Sequence, residues 1–146
     1  DKDKKTKRKK RIKMALVYEK VKKEDWELYN SFLPNIETAD EYTKWIVDRE
    51  NNIYFFRIGG EVRECIDVYF MSWNNIKIYI HTTSWSVVGN SIHMWIDSIL
   101  IYKKLDSESK IVKEIVDTIK AALQIQFNTL IKFQRIANPT FKEEKK

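Results

Sequence analysis

The chemistry that this chain could perform rests on few side chains, chiefly its two histidines and its single cysteine. His81, His93 and Cys65 are of the residue types that serve as nucleophile, base or metal ligand. Their spacing matches neither a nucleophile–base pair nor a zinc motif, so we expect hydrogen-bonded residues and no metal site. The sequence contains no Walker loop, no Gly-x-Gly-x-x-Gly and no HExxH motif.

Polar and aromatic side chains alternate with apolar ones in the middle of the chain. If the apolar set forms a buried face, the other face of the sheet collects Asp67, Tyr69, Tyr79, His81, His93, Trp95 and Asp97. Such a surface could stack bases, hold a peptide or line a small-molecule cleft. We predict binding through Tyr69, Tyr79, His81, His93 and Trp95. The alternative is that the C-terminal helix covers these aromatic residues and makes them core.

The strands that would position this surface form a predicted meander. Ile53–Ile58 and Glu61–Met71 flank Gly59-Gly60, which predicts a hairpin with its turn at the two glycines. The next strand, Ile76–Thr82, alternates isoleucine with polar residues. For Val68, Phe70 and these isoleucines to share a face, the connecting loop must hold an odd number of residues. We therefore expect the loop Trp73-Asn74-Asn75.

Three helices are predicted around the meander. After a first strand over residues 15–21, apolar spacing indicates a helix over Lys23–Leu33, which Pro34 ends. Thr38 and Glu41 have the spacing of a capping box, so a second helix is expected over Ala39–Arg49. The third helix is capped by Asp106 or Ser107 and carries one apolar stripe. Its members are Ile111, Val112, Ile115, Val116, Ile119 and Leu123.

Two segments are compatible with either helix or strand. Ser91–Tyr102 is apolar at almost every position, which suits a central strand, but its apolar residues also fit a 3.6-residue period. Residues 127–136 could extend the third helix or form a last strand. The predicted fold class is α+β, with an antiparallel meander sheet, two N-terminal helices and one long C-terminal helix.

The first thirteen residues carry most of the positive charge. They hold nine of the 27 Lys and Arg and two of the 21 acidic residues, so the rest of the chain has a net charge of −1. We expect residues 1–13 to be a disordered basic tail, residues 14–141 a single α+β domain, and residues 142–146 a charged end. The tail could contact nucleic acid, an anionic surface or an acidic partner. Its contact residues would be Lys4, Lys5, Lys7, Arg8, Lys9, Lys10 and Arg11.

Composition bounds the cellular setting only loosely. A chain of 146 residues can bury roughly two thirds of its unfolded surface, enough for a hydrophobic core. One cysteine excludes an internal disulfide, which is consistent with the cytoplasm. The sequence contains no run of about 18 apolar residues, so no membrane span is predicted.

The order of elements resembles that of GNAT-type N-acetyltransferases. The resemblance lies in three segments. Val17–Leu33 is similar to the opening strand and helix of that family, and Glu37–Phe70 is similar to its second helix and hairpin. Phe133–Phe141 is similar to its fifth strand and the turn that follows. The resemblance implies acetyl-CoA as cofactor, with Asp67 or His81 as a general base.

The acetyl-CoA loop of that family is not matched. In the family, backbone amides of a Gln/Arg-x-x-Gly-x-Gly/Ala loop cradle a pyrophosphate at a helix N-terminus. The corresponding residues 106–113 contain no glycine, and the alternative loop over residues 86–91 contains only Gly89. The family fold would also continue beyond Lys146.

We therefore expect a degenerate or truncated acetyltransferase-like module that binds no cofactor and acts mainly by binding a protein partner. The alternatives are an unrelated inhibitor, immunity protein or complex subunit, and a nucleic-acid or anionic-surface binder that uses the tail.

Overall fold

The computed structural model describes residues 15–32 and 38–143. The predicted basic tail, residues 1–13, lies outside the described residues, as do Leu33 and Pro34 at the predicted end of the first helix. None of the described helices is both long and apolar enough to cross a membrane.

The described residues form a mixed α+β fold that consists mostly of sheet. In chain order the elements are β1 Val17–Lys20, α1 Trp26–Phe32, β2 Lys44–Asp48, β3 Ile53–Glu61, β4 Ile66–Trp73, β5 Ile76–Val88, β6 Ser91–Ile101, α2 Lys110–Phe127, β7 Leu130–Ile136 and β8 Thr140–Phe141. Strands β1 to β7 are neighbours in sequence order, and β8 pairs with β6 beyond the end of β7. The pairings from β1 to β6 are antiparallel, whereas β7 and β8 run parallel to β6. This confirms the α+β class and the antiparallel meander.

Helix α2 covers one face of the sheet, here called the α2 face. Ile115, Ile119 and Leu123 are fully buried against isoleucines of β5 and β6. The hydroxyl of Ser109 accepts a hydrogen bond from the Ile111 N–H, so the helix begins slightly later than the predicted Asp106 or Ser107. The long C-terminal helix and its apolar stripe are confirmed, except that Ile111 is 37% exposed.

Helix α1 covers part of the opposite face, here called the α1 face. Tyr29 of α1 packs against Phe56, with ring centroids 4.5 Å apart, and against Trp45. The rings of Phe70 and Tyr54 extend this aromatic layer across β3 and β4. The predicted first strand and first helix are both confirmed, the helix with a 3-10 turn over Lys23–Asp25.

The predicted second helix is wrong, because its C-terminal half is strand β2. Trp45 and Val47 point to the α1 face while Ile46 points to the α2 face, and all three are buried. A helix would bury one stripe, whereas pairing between β1 and β3 buries both sides of Lys44–Asp48. The capping box does not form. Instead the Asp40 carboxylate accepts hydrogen bonds from the N–H groups of Tyr42 and Thr43 in a tight turn.

The hairpin between β3 and β4 is confirmed, but its turn lies later than predicted. Strand β3 runs through Gly59 and Gly60, and the chain reverses over residues 62–65. Cys65 closes the turn in the left-handed region, with φ 54°. Gly60 lies where a Cβ would sit 2.1 Å from the Ile66 carbonyl oxygen, so the glycine permits the close approach of two strands.

The predicted three-residue loop between β4 and β5 is also wrong. The turn has two residues, Asn74 and Asn75, with φ 49° and 68°, and Trp73 pairs with Ile76. Asparagine tolerates the left-handed backbone that such a turn requires. Because the loop is even, Tyr69 shares the α2 face with Ile80, whereas Phe70 lies opposite Tyr79 on the α1 face.

Both ambiguous segments are strands. Ser91–Ile101 pairs with β5 along its length, and its alternate residues Ile92, Met94 and Ile96 are buried on the α2 face. Helix α2 ends at Asn128, which is left-handed, and the Gln124 side chain bonds to the Thr129 carbonyl and the Ile131 N–H to turn the chain into β7.

Candidate functional site

The predicted site residues are divided between the two faces of the sheet. Asp67 and Tyr69 lie on the α2 face, because the even turn after Trp73 reverses the orientation that was expected for β4. Tyr79, His81, His93 and Trp95 lie on the α1 face. The α2 helix does not cover this second group, since it packs on the opposite face. The single surface that the sequence predicted is therefore two separate clusters.

The first cluster centres on the buried carboxylate of Asp67, which is 6% exposed. Its Oδ1 accepts a hydrogen bond from Arg57 Nε at 2.7 Å, and its Oδ2 accepts one from the Tyr69 hydroxyl at 3.2 Å. The Thr82 hydroxyl bonds to both the N–H and the carbonyl of Asp67, at 3.2 Å each. Asp67 is thus held by three side chains, those of Arg57, Tyr69 and Thr82.

Tyr69 behaves as a hydrogen-bond donor in this cluster. It is 1% exposed, and its ring stacks on Phe55 with centroids 5.1 Å apart. Burial raises the pKa of the Tyr69 hydroxyl far above its usual value, and the negative charge of Asp67 raises the pKa further. The neutral phenol therefore stays bonded to Asp67 throughout the physiological range.

The second cluster occupies the half of the α1 face beyond helix α1, and we call it the open surface. It comprises His81 from β5, His93, Trp95 and Asp97 from β6, and Lys132 and Arg135 from β7. In register, Lys132 lies beside His93, and Arg135 lies beside Trp95. The side chains of His81 and Asp97 are 38% and 53% exposed, and Lys132 and Arg135 are exposed. In the part of the chain that the structure describes, no helix packs over these residues.

A bulge brings His81 and Asp97 together. The register shifts between His81 and Thr82, so that Asp97 and Ser98 both oppose this part of β5. His81 Nδ1 lies 3.6 Å from Asp97 Oδ2, which makes an ion pair when the imidazole is protonated. A carboxylate at this nitrogen orients the ring, so His81 presents Nε2 as its remaining polar atom.

The two histidines are too far apart to share a metal ion. His93 pairs with Ser86, five residues along β5 from His81, which corresponds to about 16 Å of strand. Among residues 15–32 and 38–143 no group of three His, Cys, Asp or Glu side chains could hold a metal. Cys65 lies in the turn before β4 and not on the open surface.

A small cavity lies within the open surface. Its volume is about 200 Å³, and it is lined by Thr83, Trp95, Ile96, Asp97 and Arg135. Pockets for drug-sized ligands have roughly 300 to 1,000 Å³. This cavity has instead the size of one inserted side chain, with an aromatic wall and a charge of each sign at its rim.

Two arginines of these clusters were missed by the sequence analysis. Arg135 could not be placed while residues 127–136 were compatible with a helix. The sequence could have indicated Arg57, because this charged residue interrupts the apolar strand Ile53–Ile58 on a face that is otherwise buried. The predicted tail contacts, Lys4 to Arg11, lie outside the described residues.

Comparison with models of protein families, with curated proteins and with solved structures finds no match for this chain.

Proposed function

We propose that this protein is a binding module that docks a partner protein on the open surface. The observation that carries the proposal is the unequal covering of the sheet. Helix α2 packs on one face, and α1 covers only the β2–β4 half of the other. The remaining half holds Trp95, Asp97 and Arg135 around a cavity, and His81 lies beside Asp97.

The residue types of the open surface support a protein partner. Trp, Tyr and Arg are the residues most enriched among those that dominate the binding energy of protein interfaces. Trp95 offers a large, stiff ring, and Arg135 beside it offers planar donors. The cavity of about 200 Å³ suits one anchoring side chain of a partner better than a whole small-molecule ligand.

The charge pattern favours protein over nucleic acid. Binding to a phosphate backbone depends on Lys and Arg side chains that neutralise phosphates. On the open surface Lys132 and Arg135 stand at the β7 edge, but the exposed carboxylate of Asp97 lies among the aromatic and imidazole rings. Mixed charge of this kind is typical of the rim of a protein interface.

Affinity capture with matched variants tests the proposal. The wild type, Trp95→Ala, Arg135→Ala and the control Tyr42→Ala would be used as bait in extracts of the cells that make the protein. Tyr42 is an aromatic residue 74% exposed outside the open surface. We expect a partner retained by wild type and Tyr42→Ala, and weakened by about 30-fold in Trp95→Ala, as for a central interface residue. A partner held equally well by Trp95→Ala and Tyr42→Ala would contradict the proposal.

Hydrogen exchange locates the contact independently. Binding should protect amides of β6 and β7 near Trp95 and Arg135 and leave those of α2 unchanged. If binding instead falls steeply with salt and is lost when residues 1–13 are deleted, the tail is the binding element and the open surface is not.

Acetyl-CoA binding stays a prediction that follows from the family resemblance. On one side, strand β6 pairs with β5 over Ile96–Ile101. On its other side, β6 pairs with β7 as far as Ile96 and with β8 from Leu100 onward. Calorimetric titration with acetyl-CoA tests the prediction. No heat at millimolar cofactor would contradict acetyl-CoA binding.

A further inference from the structure

We propose that Arg57, on the α2 face, is a receptor for a small oxyanion, either a carboxylate or a phosphate group of a ligand. This site is separate from the open surface, which lies on the α1 face, and does not depend on the partner proposed above.

The guanidinium of Arg57 is only partly used inside the protein. Its Nε donates to Asp67 Oδ1 at 2.7 Å, and within residues 15–32 and 38–143 no acceptor is assigned to Nη1 or Nη2. The side chain is 40% exposed, so solutes reach these donors. The two Nη groups form the planar fork that matches the two oxygens of a carboxylate or phosphate.

Asp67 holds this fork in position, and other groups hold Asp67. Tyr69 bonds to Oδ2, while Thr82 bonds to the backbone of Asp67. Gly60 brings the β3 backbone so near that a Cβ there would lie 2.9 Å from Asp67 Oδ1. The bonds from Tyr69 and Thr82 hold this carboxylate beside Arg57. A receptor that is already ordered spends less of its binding energy on immobilising side chains.

Stability alone does not account for this cluster. The side chain of Asp67 is 9% exposed, and removing such a carboxylate from water carries a desolvation cost that the hydrogen bonds from Arg57 and Tyr69 must offset. Apolar residues of similar volume would fill the same space in a face built from isoleucine and aromatic side chains. An ordered, solvent-accessible guanidinium fork is what the charged pair adds.

Side-chain NMR of the intact protein tests the proposal. The Arg57 Nε–Hε resonance would be followed during separate titrations with sodium phosphate and sodium acetate, at constant ionic strength set with sodium chloride. We expect a saturable shift of this resonance and of the Asp67 and Thr82 amides in at least one titration. Saturation with acetate alone identifies a carboxylate ligand, and saturation with phosphate alone identifies a phosphate ligand.

Arg63 provides the internal control, because it is exposed in the β3–β4 turn of the same hairpin. Its Nε–Hε resonance should shift only linearly. In Arg57→Lys, which keeps the charge and loses the fork, binding at the Asp67 and Thr82 amides should be about tenfold weaker. Absence of saturation in both wild-type titrations, or equal responses of Arg57 and Arg63, would overturn the proposal whether or not the variant folds.

Discussion

Phe70 and Tyr79 face each other across β4 and β5 on the α1 face, with ring centroids 5.2 Å apart and planes at 77°. Tyr79 in turn meets Tyr102 edge to face at 5.5 Å. Burial raises the pKa of the Tyr79 hydroxyl, and Tyr102 adds to this effect. Tyr79, which the sequence predicted as a binding residue, thus lies at the border where the α1-face core gives way to the open surface.

The two-residue turn that sets this pairing can be tested at Asn75. Its φ of 68° lies in the left-handed region, which a β-branched residue avoids. We expect Asn75→Val to lower the free energy of unfolding by about 1–3 kcal/mol, and Asn75→Gly to change it by less than about 1 kcal/mol. Denaturant unfolding measures both. Asn90→Val, in a turn position without positive φ, is the control, and an equal loss there would contradict the role of the backbone angle.

The two adjacent glycines should respond very differently to alanine. At Gly60 a Cβ would meet the Ile66 carbonyl at 2.1 Å with φ 148°, whereas at Gly59 nothing lies within 4 Å. Gly60→Ala should destabilise the protein by about 2–4 kcal/mol, since strain and overpacking add. Gly59→Ala should cost less than about 1 kcal/mol. Similar midpoints in thermal unfolding of the two variants would show that the close approach at Gly60 is not required.

We expect the free energy of unfolding to decrease at acidic pH because of Asp48. This carboxylate is 2% exposed; burial alone would raise its pKa, but hydrogen bonds from Asn51, from the Ala15 N–H and from neighbouring N–H groups outweigh burial and lower it. A lowered folded-state pKa means that the stabilisation is complete above the unfolded value of about 3.9 and is lost as pH falls through the folded value.

Urea unfolding at neutral and at acidic pH measures this contribution. Asp48→Asn should cost about 1–3 kcal/mol at neutral pH and distinctly less in acid. Asp117→Asn, exposed on α2, should cost nearly nothing at either pH. An Asp48→Asn penalty that does not shrink in acid would contradict the charged role.

We expect the free energy of unfolding to decrease at alkaline pH because of Tyr69. Because burial, followed by the charge of Asp67, raises its folded-state pKa, the unfolded chain loses its phenolic proton first, and stability declines as pH rises above about 10. Tyr69→Phe should remove this part of the decline and cost about 1 kcal/mol near neutrality through the lost bond to Asp67.

Absorbance at the phenolate band during alkaline titration identifies the group. Some tyrosines should ionise only when the protein unfolds, and the wild type should have one more of these than Tyr69→Phe. If the Tyr69→Phe titration instead lacks an early-ionising tyrosine, Tyr69 is not the buried phenol.

The sequence by itself determined the elements whose periodicity allows one interpretation. The apolar stripe through Ile115, Ile119 and Leu123 fits only a helix, and alternation along Ile76–Thr82 fits only a strand. The first helix was predicted from the same kind of spacing, and in these elements the pattern repeats over enough residues for local propensity and burial to agree. The β3–β4 hairpin was predicted instead from Gly59-Gly60, and its turn lies later, over residues 62–65.

Tertiary structure decided which faces meet and therefore which residues form a site. Trp45, Ile46 and Val47 suit a helix as well as a strand, and pairing with β1 and β3 selects the strand. The choice between a two- and a three-residue turn at Asn74 moved Asp67 and Tyr69 to the opposite face from His81. The physical reason is that side chains of a strand alternate, so one residue in a loop, which costs little locally, reverses every contact of the strand that follows.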